Sequence, residues 1–198
     1  MGKLDYMSDP ARESNGAKNT VTLSCRLDKT LYDLLQGDAK KKGISLNSLI
    51  NSIVKGYASW ERYAAEIGFI PLAKETVRLM FENLDDKKLQ KIAQLLGRTI
   101  PKELILLMFN KIDFDSIVSF IELTSARYGM VQHNNSGDNH EMIVYHDVNE
   151  KFSKFLGEVL KAMAEELSFK SEVLDAGAKI LHVRIEGNSM VQKVDRLR

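Results

Sequence analysis

The chain is poor in the features that usually announce a chemistry. Its single cysteine, Cys25, excludes a disulfide framework within the chain and fits a reducing cytosol. The longest apolar run is Leu104-Ile-Leu-Leu-Met-Phe109, far below the roughly 18 residues of a membrane span. No apolar segment follows the start, so neither a secretory leader nor a membrane partner is expected. No P-loop, dinucleotide fingerprint or nucleophile elbow is present, and Gly129, Gly137 and Gly157 stand alone. Enzymatic activity and a cofactor are therefore not expected. A net charge of +1 gives no chain-wide argument for nucleic acid.

What remains is an ordinary globular composition, 44% hydrophobic and 28% charged, with room for one or two domains in 198 residues. The expected class is α+β, mostly helical. Residues 1–19 are polar, carry Pro10 and Gly16, and read as a flexible arm.

The most informative stretch runs from Thr20 to Trp60. From Thr20 to Leu27 apolar and polar residues alternate, which predicts a half-buried strand. Val21, Leu23, Cys25 and Leu27 lie on one face; Thr22, Ser24 and Arg26 lie on the other. Cys25 reads as a small core residue. Asp28 is a helix N-cap, and Leu31, Leu34, Leu35 and Ala39 recur at helical spacing. Lys40, Lys41 and Lys42 fill the last turn, and Gly43 suits the left-handed position that ends helices. Ser45 caps a second helix. Its stripe of Leu46, Leu49, Ile50, Ile53, Val54, Tyr57 and Trp60 is too wide for one packing partner. Forty residues bury little core alone, so this module is expected to fold as a dimer. Between Ala17 and Arg62 eight Lys/Arg face four Asp/Glu, a modestly basic balance.

Strand, capped helix, Gly43 turn, Ser45-Leu-Asn47-Ser48 and second helix together resemble the ribbon-helix-helix (Arc/MetJ-like) family of transcriptional regulators. The resemblance runs through about Val54 and rests on Arg26, Leu31, Asp33, Leu34, Gly43, Ser45, Asn47, Ser48, Ile50 and Val54. It implies an intertwined homodimer whose two strands form a ribbon in the DNA major groove. Thr22, Ser24 and Arg26 would then read bases. The N-terminus of the second helix, at Ser45, Leu46 and Asn47, would hold a backbone phosphate. The dimer core would comprise Val21, Leu23, Ile44, Leu49, Ile50, Ile53 and Val54. The Arc branch carries a buried Arg–Glu–Arg triad; the matching positions here are Ile44, Leu49 and Ile53, all apolar.

Past Gly68 and Pro71 the pattern becomes successive helices. One stripe holds Ala73, Val77, Met80, Phe81 and Leu84. Another holds Leu89, Ile92, Ala93 and Leu96 and closes at Gly97. Pro101 is expected to open a third helix, and Asp113 or Asp115 a fourth that stops at Gly129. A ββαββ unit then follows. It comprises a hairpin of 130–133 and 141–145, a helix over 149–167, and a hairpin of 169–174 and 178–186. The expected division is thus an arm (1–19), a DNA-binding module (20–68), a sensing or oligomerisation domain (71–186) and a tail (187–198). No internal repeat is visible.

His133, His140, His146 and His182 all fall in this last part. Nickel-responsive members of the family join such a DNA module to a metal-binding domain. Here the ligand spacings of metal sites are missing, so no metal is expected and surface or loop histidines are the plainer account. The expected function is that of a dimeric, sequence-specific DNA-binding regulator, most simply a repressor, in the cytoplasm with the nucleoid. A tetramer and a small-molecule effector stay open. Two alternatives also stand. One is an antitoxin-type protein that binds its operator and a toxin; the other is a structural oligomerisation protein that never meets DNA.

Overall fold

The structure, a computed structural model, describes residues 21–187. The chain divides into two units, after Glu61. That boundary lies earlier than the expected one at residue 68. The arm, Thr20 and the last eleven residues lie outside the described residues.

The first unit holds helix α1 (Lys29–Lys42) and helix α2 (Leu46–Gly56), followed by a π-helical turn (Tyr57–Glu61). The π turn was not anticipated. Within it the Ser59 hydroxyl donates to the Lys55 carbonyl at 2.8 Å, a contact of the kind that loosens the regular backbone ladder.

The second unit begins with α3 (Arg62–Ile67) and α4 (Lys74–Asn83). Tyr63 of α3 donates its hydroxyl to the Met108 carbonyl at 3.1 Å, and Ile67 packs on the core, which is why α3 belongs here. Pro71 precedes α4 by three residues and does not start it. Next come α5 (Asp86–Phe109), α6 (Phe114–Tyr128), β1 (Met130–Ser136), β2 (Asn139–Tyr145), α7 (Glu150–Leu167), β3 (Lys170–Ala176) and β4 (Ile180–Glu186).

The expected break between Gly97 and Pro101 does not occur. A single 24-residue helix, α5, runs through both. Proline costs a helix interior about 3 kcal/mol because its ring crowds the carbonyl four residues back and it donates no N–H. That earlier residue is Gly97. The inward stripe of Leu89, Ala93, Gly97, Pro101, Leu104 and Ile105 is buried, and α5 packs along α7. Tertiary burial of this stripe outweighs the local penalty. At Gly97 a Cβ would stand 2.4 Å from the Val159 carbonyl oxygen and 2.8 Å from Ala162 Cβ, so only glycine permits the crossing.

The ββαββ pattern is present; β1, β2 and β3 are longer than expected and β4 is shorter, with a tighter first turn at Gly137–Asp138 and the second turn moved to 177–179. The four strands form one antiparallel sheet in the order β1-β2-β4-β3. Its central pair sets Met142 against Val183 and Val144 against Leu181. These four, with Ile185, face the helices and are buried. Ile180, His182 and Arg184 occupy the opposite face, as their alternation requires. Helix α6 lies on β1 and β2, while α7 lies on β3 and β4. Two consecutive α-β-β runs therefore share one sheet. The core joins α5, α6, α7 and the sheet around Ile105, Met142 and Ile185, each fully buried. Among the described residues no buried side-chain nitrogen or oxygen lacks a hydrogen-bond partner.

Candidate nucleic-acid interface

The first unit is built around one corner. Asp28 caps α1 by accepting from the Leu31 amide at 2.9 Å. The helix ends at Gly43 with φ 65°, the left-handed conformation that glycine adopts without strain. Gly43 N–H donates to the Lys40 carbonyl at 3.2 Å and Ile44 N–H to the Ala39 carbonyl at 3.1 Å, a Schellman arrangement. The turn then delivers Ser45 directly as the cap of α2. Its hydroxyl accepts from the Ser48 amide at 3.0 Å and lies 2.8 Å from the Ser48 hydroxyl.

The corner is electrostatically one-sided. Lys40, Lys41 and Lys42 are exposed in the last turn of α1. Asp38 pairs with Lys41 at 3.6 Å, and both side chains are largely solvated, which makes this a weak pair. A few residues on, the amides of Leu46 and Asn47 open α2. First-turn amides have no acceptor inside their own helix, and they lie at the positive end of its dipole. Ser45, Leu46 and Asn47 are thus brought beside three cations.

The strand residues are not brought to that corner by any ladder. Residues 21–28 form no strand in the single chain, and Thr22, Ser24 and Arg26 are exposed. A two-stranded ribbon between chains cannot close within one of them, since its second strand belongs to the other copy. Val21 is 94% and Leu23 88% exposed, and Cys25, expected to face a core, is exposed as well.

The second helix also needs one correction. Leu49, expected in a dimer core, is buried inside the single chain together with Ala39 and Trp60. Ile50 is half-buried. Ile44, Ile53 and Val54 remain exposed, with Val54 at 59%. Along this stripe Leu49 packs within the chain, while its neighbours Ile53, Val54 and Tyr57 stay exposed.

The histidines occupy three separate settings in the second unit. His133 Nδ1 lies 3.1 Å from Glu122 on α6, and its Nε2 lies 2.9 Å from His140 Nδ1. This relay fastens the first hairpin to α6, with the Phe114 ring edge-on to His140 at 5.5 Å between centroids. Burial, then the neighbouring His133, holds His140 below the usual histidine pKa. His182 pairs with Glu141 at 2.5 Å across the β2–β4 ladder. His146 lies in a loop, as one form of the expectation had it, but it is fully buried and not at the surface. Sequence periodicity could not show this, because the residue lies past the end of β2. Its Nε2 lies 2.7 Å from Ser153 Oγ. A serine nucleophile would need a histidine that accepts its proton, whereas Nδ1 here already accepts from the Val148 amide, leaving the neutral ring's proton on Nε2. Among the described residues no group of three or more His, Cys, Asp or Glu side chains is placed to hold a metal ion.

One further concavity lies between the start of α5 and α7, lined by Asp86, Leu89, Gln90, Lys151, Lys154, Phe155 and Glu158. Its charges pair locally: Lys151 meets Asp86 at 3.2 Å, Lys154 meets Glu150, and Glu158 meets Lys161 at 2.9 Å. No helix among the described residues is long and apolar enough to cross a membrane. Neither a protein-family model nor a curated protein matches the chain.

Proposed function

We propose that the protein is a sequence-specific DNA-binding regulator of the ribbon-helix-helix type, acting as a homodimer and most simply as a repressor. The observation that carries this reading is the corner at Gly43, where three exposed lysines adjoin the Ser45-capped start of α2. In the same unit, whose own buried core is small, Val21, Leu23, Ile44, Ile53 and Val54 are exposed. A second copy supplies what such a unit lacks. Pairing residues 20–27 of two chains satisfies their backbone groups and buries Val21, Leu23 and Cys25. Thr22, Ser24 and Arg26 then form the outer face of the ribbon and meet base edges, with Arg26 suited to guanine. The amides of Leu46 and Asn47 meet a phosphate.

In this reading the protein works in the cytoplasm, on the nucleoid. The second unit supports the module by sensing or by joining dimers into tetramers. An antitoxin-type role fits less well, because a folded α-β-β pair follows the module where a short toxin-binding tail would be expected. The test is an anisotropy titration of the full chain against duplex DNA across a range of salt. Affinity should fall steeply as salt rises, because phosphate neutralisation releases counterions. Dimerisation with no DNA binding at low salt would favour the structural oligomerisation protein.

A further inference from the structure

His146 is enclosed at the corner where β2 hands over to α7, and its ring is held from both ends. The Val148 amide donates to Nδ1 at 3.1 Å. Ser153, in the first turn of α7, accepts from Nε2 at 2.7 Å and donates its own hydroxyl to the Gly177 carbonyl at 2.5 Å. The direction of this chain is fixed, because an amide only donates and a carbonyl only accepts. A backbone clasp runs beside it. The amides of His146 and Asp147 both point to the Lys179 carbonyl, at 3.1 and 3.5 Å. Three segments meet in one hydrogen-bonded knot: the end of β2, the start of α7 and the turn between β3 and β4.

The knot has no place for a second proton. Protonated at Nδ1, the ring would set an N–H against the Val148 N–H, and a buried cation would lack a counter-charge in contact. Phe152 meets the ring edge-on at 5.0 Å, and the uncharged backbone of Gly129, just past α6, lies against the His146 Cα. The charged groups that act on the ring are Lys74 from α4, which opposes a positive charge, and Asp147, which favours one. Asp147 is already paired with Lys179 at 2.9 Å.

We propose that His146, Ser153 and the Gly177 carbonyl form a proton-released latch, in which protonation of His146 frees the β3–β4 turn and the start of α7 from the β2 corner. The latch is closed at neutral pH, because burial and then Lys74 hold the histidine below its usual value of 6.5. The sign follows from linkage. The neutral form's stabilisation is complete above about pH 6.5, where the unfolded histidine also loses its proton, and declines as pH falls from there to the folded value.

Site-resolved NMR on the full chain tests this. At pH 7.5 the His146 ring should carry its proton on Nε2. As pH falls through the window below 6.5, exchange protection of the Val148 amide and of the amides at 177–179 should drop by about tenfold per pH unit. The core amide of Val183, which opens only with the whole unit, should stay far better protected than Val148 at every pH in that range. His146→Asn offers an amide oxygen to Val148 and cannot titrate, so protection in that variant should be flat with pH. If the variant does not fold, the wild-type tautomer and exchange profile decide alone. A proton on Nδ1, pH-independent protection at Val148, or a Val148 amide protected as strongly as Val183 overturns the latch. So does an unchanged pH profile in a folded His146→Asn variant.

Discussion

Gly97 on α5 faces Val159 on α7 so closely that a Cβ would stand 2.4 Å from the Val159 carbonyl oxygen. Backbone atoms cannot swing aside as a flexible side chain can. Gly97→Ala is therefore expected to destabilise the second unit by about 1–3 kcal/mol through overpacking. Gly37 gives the opposite sign: nothing among the described residues lies within 4 Å of a Cβ there. Gly37→Ala in α1 should stabilise by about 0.4–1 kcal/mol by restricting the unfolded chain. Urea denaturation of both variants reads the two signs directly.

A second prediction concerns Ile53. It is half exposed in the single chain, so an acidic replacement there costs an isolated monomer little, within about 0.5 kcal/mol. In a dimer core the same change buries an unpaired charge. Ile53→Asp should leave helical content intact and convert the protein from dimer to monomer in sedimentation. A wild-type monomer, or a variant that still dimerises, contradicts the shared core.

Arg26 separates reading from holding. Arg26→Ala should lower affinity for a preferred site by about 1–3 kcal/mol, on the order of five- to a hundred-fold. It should leave the dimer unchanged. Each of Lys40, Lys41 and Lys42 that meets a phosphate should, on replacement by Ala, reduce the salt slope by about one. Gel shifts at two salt concentrations check both effects.

The pH dependence has a defined sign. His140 and His146 are both held below the usual histidine value of 6.5, in each case first by burial. Both favour the neutral form when folded, so their stabilisation is complete above about pH 6.5 and declines as acid is added below it. The urea midpoint should fall between pH 7 and pH 5. A midpoint that rises over that range contradicts the assignment.

The elements of the second unit were largely legible in the sequence. The Asn149-capped stripe from Phe152 to Leu167 is helix α7, and the alternation of Leu181, Val183 and Ile185 gives the buried face of β4. What was hidden depends on distance in space. Gly97 and Pro101 read locally as a break, yet α7 packs against both turns and keeps α5 whole. The two α-β-β runs share an architecture with no visible sequence repeat. His146 reads as a loop residue, and its burial involves Phe152 and Ser153 of α7 packed against it across the corner. In the first unit the capped α1–α2 corner follows from Asp28, Gly43 and Ser45, all local signals. The expected strand over 20–27 is not formed among residues 21–28 of the single chain.

The most direct measurement of the central proposal is selection from random duplex DNA by the full chain, sequenced over successive rounds. A dimeric ribbon should enrich a pair of related half-sites at fixed spacing, and Arg26→Ala should abolish or relax that enrichment. A pool that remains indistinguishable from its input at low salt would contradict the reading of this protein as a DNA-binding regulator.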